Sequence, residues 1–188
     1  KSVFHNKKVD ILIENGLLSK IDNNIDVDAN QLINLEELHV SSGWFDPNIS
    51  FGEPGFEERE TLENGLLTAA KSGFTHVLLN PNTNPKTSTL ADVNHLIQST
   101  LSHTTKLHVS AVLSEKKYGE KMASLYDMHI AGAKAFGNFN ETIINPNELK
   151  IALDYLQTFG GIVQSYPIDK KLCENGQIHE GEISVKLG

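Results

Sequence analysis

The sequence predicts an α/β protein with parallel strands, and three observations carry that prediction. From Leu38 onward, strand-like apolar runs alternate with helical patterns five times, as βα units with right-handed crossovers do. Capping residues mark the start of one helical stretch, at Asn145, and the ends of two, at Gly73 and Gly160. The first 36 residues read differently, as short strands around an Asn-Gly turn.

In the N-terminal part, Val9–Ile13 and Leu17–Ile21 flank Glu14-Asn15-Gly16, a strong hairpin signal between two apolar runs. Asn23–Asp28 is a polar loop, and Gln31–Leu35 alternates like a third strand. The strand-like runs that follow are Leu38–Ser41, Phe74–Leu79, Lys106–Leu113, Ala133–Phe136 and Gly161–Gln164. Between them, Thr61–Ala70 sets Leu62, Leu66 and Ala69 on one helical face. Leu90–Leu101 does the same with Val93, Leu96, Ile97 and Leu101. Asn145, Pro146 and Glu148 read as a cap, a first-turn proline and a capping-box acid ahead of Leu149, Ala152, Leu153 and Leu156. Gly73 and Gly160 fall where helices end. Residues 1–37 are therefore expected to form a small β module and 38–188 the α/β part. A (β/α)8 barrel and a doubly wound sheet both fit this alternation. A whole barrel needs about 250 residues, so the chain supplies about five strands of one. No Gly-rich phosphate loop follows the first strand, which weakens the dinucleotide-binding alternative.

Composition excludes some classes. A net charge of -8 disfavours attraction to nucleic acid or an anionic membrane. The single cysteine, Cys173, rules out an intrachain disulfide and fits a reducing cytoplasm. No run resembles a signal peptide or a bilayer span. Lys1 in place of a methionine, and the abrupt end at Leu187-Gly188, lead us to expect a piece of a longer protein.

In a barrel, chemistry sits at the C-terminal ends of the strands. Those ends read Phe45–Gly55, Leu79–Pro85, Ala135–Asn140 and Gln164–Pro167, rich in Asn, Ser, Gly and Pro. Asp46 and Glu53 are the only carboxylates near this mouth, and no histidine is present. The residues alone predict a polar, nearly uncharged rim. His76 and His108 on strands, and His179 in a polar segment, read as hydrogen-bonded structure, and Cys173 lacks a histidine at a spacing that would make it a nucleophile. Trp44 and Phe45 read as core, Asp46 before Pro47 as a strand-end cap, and Lys134 as a solvated or paired lysine.

Val40-Ser41-Ser42-Gly43-Trp44-Phe45-Asp46, followed by Glu53-Pro54-Gly55-Phe56-Glu57, resembles the first barrel strand of bacterial dihydroorotases of the amidohydrolase superfamily. Pro81-Asn82-Thr83-Asn84-Pro85 is similar to the second-strand motif of that family, Gly132–Phe136 to its fourth strand, and His179–Ser184 to the segment after its fifth. The likeness runs in order over nearly the whole chain. It implies the N-terminal half of a (β/α)8 barrel, preceded by part of a small β-sandwich module.

The departures from the family pattern fall on its metal site. The resemblance implies a His-x-His zinc grip at the end of the first strand, where this chain has Asn48 and Ser50. It implies a substrate-clamping arginine where Gly52 stands, an acidic ligand where Asn138 and Phe139 stand, and a fifth-strand histidine where Ser165 stands. Neutral amides and hydroxyls are poor zinc donors and offset none of its charge. Without the metal, nothing lowers the pKa of the attacking water toward about 7. No cofactor and no catalytic residue are expected here. Asn82 remains as a residue able to hold a carboxylate, although the same Asn also makes a good turn.

The leading expectation is a metal-free, inactive dihydroorotase homologue of pyrimidine biosynthesis. Its role would be that of a structural partner of aspartate transcarbamoylase or of its own copies. The alternatives are an active cyclic amidohydrolase that draws ligands from elsewhere, and a carboxylate-binding protein using the rim of Asn48, Asn82 and Ser165.

Overall fold

Asn15 and Gly16 both take positive φ, 52° and 75°, the geometry of a type I′ hairpin turn. This is seen in a computed structural model of the chain that describes residues 2–115, 121–173, 176 and 178–187. The turn joins β1 (Asp10–Glu14) to β2 (Leu17–Asp22) in an antiparallel pair with an irregularity between Leu12 and Ile13. This hairpin belongs to a compact unit, Lys1–Ser41, and the α/β part is a second unit, Ser42–Gly188. The run Gln31–Leu35 forms no strand, contrary to the alternation of its sequence, and Leu32, Ile33 and Leu35 are exposed. Alternation specifies a strand only where a partner ladder and a buried face exist to use it.

The second unit alternates strand and helix. Its elements are β3 (Trp44–Ile49), α1 (Leu62–Lys71), β4 (Phe74–Leu79), α2 (Leu90–Ser99), β5 (Lys106–Ala111), α3 (Leu125–Ala131), β6 (Ala135–Gly137), α4 (Pro146–Gln157), β7 (Ile162–Gln164), α5 (Lys170–Cys173) and α6 (Glu182–Leu187). The strands lie in sequence order, β3-β4-β5-β6-β7, all parallel. The sheet curls. Gln164 at the end of β7 donates from Nε2 to the Pro47 carbonyl of β3 at 3.3 Å, past three intervening strands. This is the (β/α)8 half-barrel that the sequence predicts, not a doubly wound sheet.

Local chemistry explains the helix starts. Thr61 Oγ1 accepts the Asn64 N–H at 3.2 Å, and the Glu53 carboxylate accepts the Leu62 N–H at 2.8 Å. Thr89 and Asp92 form a reciprocal capping box at the start of α2. Asn145 Oδ1 accepts the Asn147 N–H at 3.0 Å, with Pro146 as the first helical residue. The core lies between the sheet and the helices. Val77, Leu79 and Val109 from the strands meet Leu66, Val93, Leu96, Met128 and Leu156 from the helices.

The expected strand Leu38–Ser41 is displaced: the ladder begins at Trp44, whose N–H donates to the Gly73 carbonyl at 2.9 Å, and Leu38 and Val40 are exposed. Trp44 and Phe45 are not core residues, being 61% and 54% exposed. β3 is an outer strand of the described sheet, with a hydrogen-bonded neighbour, β4, on one side only. The helix α3 went unpredicted. It is seven residues long, its cap Ser124 makes no side-chain bond, and it is stopped by Gly132 at a φ of 113° that favours glycine.

Candidate functional site at the strand ends

The C-terminal ends of β3 and β4 are stitched together by neutral side chains. Asp46 Oδ1 accepts the Asn48 N–H at 2.9 Å, inside β3 where its register with β4 is irregular. Asn80, buried, donates from Nδ2 to Asn48 Oδ1 at 2.7 Å. Two residues on, Asn82 donates from Nδ2 to Ser50 Oγ. Asn48 and Ser50 each thus have a β4-end amide as a fixed partner, in two consecutive rungs. Asn82 Oδ1 is buried and has no hydrogen-bond partner among the described residues.

Gly52 is enclosed by backbone. Its N–H donates to the Glu60 carbonyl at 2.8 Å, and its carbonyl accepts the Phe56 N–H at 2.9 Å. A Cβ placed on it would sit 1.8 Å from the Phe56 carbonyl oxygen, so no side chain fits there without moving the 52–60 loop. The Arg59 guanidinium donates to the Phe51 carbonyl at 3.0 Å and lies 5.1 Å from the Phe56 ring centre. The Glu53 carboxylate is engaged at the start of α1.

Asn138, 6% exposed, follows β6 and faces the end of β5. Its Oδ1 accepts the N–H groups of Leu113 and Ser114 at 3.1 and 3.2 Å, and its Nδ2 donates to Ser114 Oγ at 2.6 Å. Ser165 lies beyond β7 and is exposed. The residue that reaches inward is Gln164, whose Oε1 accepts the Ser110 hydroxyl at 2.5 Å while Nε2 reaches Pro47. Sequence reading missed Gln164, but a signal was there. Val163 packs on the helix-side core, so Ile162 and Gln164 must face the other way.

The structure therefore brings Asn48, Ser50 and Asn82 together, sets Asn138 in a separate buried network, and leaves Ser165 outside. Lys134, Cys173 and His179 are exposed. Among the described residues, no three His, Cys, Asp or Glu side chains gather in a metal-holding group. Nor is any described helix long and apolar enough to cross a membrane.

The sequence profile of the family described as dihydro-orotase-like matches residues 40–188. The chain belongs to the dihydro-orotase-like family. It is 31% identical over 180 residues to the dihydroorotase of Aquifex aeolicus, covering 95% of this chain and 42% of that protein. It is 30% identical to the dihydroorotase of Pelotomaculum thermopropionicum and 29% to that of Acetivibrio thermocellus, again over 42% of each relative. The chain thus spans less than half the length of these dihydroorotases.

Zinc, the metal that the dihydroorotase resemblance implies, is poorly matched by these side chains. The oxygens of Asn48 and Asn138 already accept hydrogen bonds from protein N–H groups, and Ser50 Oγ does so from Asn82. None of the three carries charge to offset a divalent ion.

Proposed function

We propose that this chain is the N-terminal barrel half of a dihydroorotase-like protein of pyrimidine biosynthesis that does not hydrolyse its substrate. It acts instead as a structural partner, with aspartate transcarbamoylase as the partner that the resemblance implies. The observation that carries the reading is the pair of rungs, Asn48 with Asn80 and Ser50 with Asn82. Positions where the family resemblance implies imidazoles bound to metal hold neutral groups that satisfy one another. Full-length protein purified without chelator or a metal-affinity tag is to be analysed for zinc and assayed for dihydroorotate turnover. Zinc well below one per chain, no turnover, and co-purification of aspartate transcarbamoylase are the expected results. Near-stoichiometric zinc with turnover would overturn the reading and place the ligands outside this chain.

A second reading has its own observation, the buried and unpartnered Asn82 Oδ1. A buried acceptor without a donor costs about 1–3 kcal/mol, and a bound small molecule that supplies the donor would recover it. Thermal stabilisation by dihydroorotate or N-carbamoyl-aspartate, undiminished by chelator, is the result that would favour binding without catalysis.

A further inference from the structure

On the face of the curled sheet opposite the helix-side core, His76 of β4 and His108 of β5 meet. Val77, Leu107 and Val109 point into the core, so alternation turns His76 and His108 the other way. His76 Nδ1 and His108 Nε2 are 3.0 Å apart, and the rings are inclined by only 15° with centres 5.2 Å apart. With the nitrogens in contact, a centre separation that large puts the rings end to end and nearly coplanar. Each nitrogen's lone pair, or its proton, then lies along the line to the other.

That alignment selects what the two imidazoles can share. A metal ion needs both lone pairs to converge on a point about 2.0–2.1 Å from each nitrogen. On the line between nitrogens 3.0 Å apart there is no room for such a point. A proton fits it, as an N–H···N bond.

The neighbours decide how many protons the pair tolerates. From β3, the uncharged ring of Phe45 packs edge-on against His108, with centres 6.2 Å apart. Burial holds the His108 pKa below its ordinary value, and the positive charges of His76, Lys106 and Lys134 push it in the same direction. Lys106 is on β5, paired in register with His76, and Lys134 immediately precedes β6. The charges that act on His108 among the described residues, those of His76, Lys106 and Lys134, are all cationic.

We propose that His76 and His108 form a single-proton dyad that ties β4 to β5 and parts when a second proton arrives, making this wall of the half-barrel an acid-sensitive element. With no proton or one proton beyond the neutral tautomers' own, one nitrogen donates and the other accepts. With both rings cationic, both nitrogens are donors, neither accepts, and the rings must separate. The sign follows from His108: its folded value lies below the ordinary 6.5, so its contribution to stability is whole above that pH and is lost as pH falls through the folded value.

The test is imidazole 15N NMR on full-length, histidine-labelled protein, titrated over roughly pH 4–8, with His76→Gln as the variant. In the wild type, one of the two facing nitrogens is expected to report as donor and the other as acceptor at neutral pH. The His108 ring should respond in two steps separated by about one pH unit or more, as a shared proton requires. In His76→Gln, the His108 titration is expected to collapse to one step. A single-step titration of His108 in the wild type would overturn the proposal, whether or not the variant folds. So would shifts of both facing nitrogens on addition of zinc, which would show a chelate instead of a shared proton.

Discussion

Asn138 separates a remnant of a catalytic site from a working part of the fold. It stands where the resemblance implies an acidic ligand, yet its side chain makes three hydrogen bonds to the end of β5. In Asn138→Ala, the buried N–H groups of Leu113 and Ser114 lose this acceptor, and Ser114 Oγ loses a donor. A buried N–H left without a partner costs about 1–3 kcal/mol, so the substitution is expected to cost about 3 kcal/mol in all. Asn138→Asp keeps an acceptor for both N–H groups but puts a carboxylate with no counter-charge at a position that is 6% exposed, so it too is expected to destabilise at neutral pH, by about 1–3 kcal/mol. Urea unfolding of the full-length variants, read as a change in midpoint at constant slope, measures both. An alanine variant within about 0.5 kcal/mol of wild type would refute the structural role.

Three further outcomes are expected. Gly52→Ala puts a Cβ against the Phe56 carbonyl and should cost about 1–3 kcal/mol by urea unfolding; a Gly52→Arg protein as stable as wild type would show that the 52–60 loop moves freely. Thr89→Ala removes the side-chain half of the capping box and should cost about 1 kcal/mol by the same assay. Returning both imidazoles, Asn48→His with Ser50→His, breaks the rungs to Asn80 and Asn82 and leaves Asn138 neutral, so zinc by elemental analysis should stay well below one per chain.

The features legible in the sequence are those set by local chemistry. The Asn15-Gly16 turn and the cap at Asn145 form where the residues predict them, and the equally local caps at Thr61 and Thr89 emerge only in the structure. The features that were missed depend on partners distant in sequence. The apolar run Leu38–Ser41 looks like a strand, but the ladder to β4 starts at Trp44. Gln164 and Ser165 differ by one position, and in a strand one position reverses the face. The sequence places a candidate at the right end of β7, and the hydrogen bonds to Ser110 and Pro47 pick out Gln164. The enclosure of Gly52 was out of reach in the same way, because it depends on the Phe56 and Glu60 carbonyls folding back over it.

The substitutions at the mouth share a physical logic that supports the non-catalytic reading. A buried carboxylate or a cluster of imidazoles is tolerable when a divalent ion balances and orders it, and costly when none does. Asn138 keeps both backbone N–H bonds that an acidic residue could accept, but brings no charge to a position that is 6% exposed. Asn48 and Ser50 each accept from an amide that is fixed on β4, so the strand ends stay joined without a metal to bridge them. At Gly52 the loop closes over the space that a side chain would need. At the positions where the resemblance implies a ligand or a clamp, each of these residues makes a hydrogen bond or a packing contact and carries no charge. A site decaying without constraint would be expected to leave some orphaned polar group at every such position. Among these positions and their partners, the buried orphan is Asn82 Oδ1 alone, which makes Asn82 the place to look first for a ligand that the fold still binds.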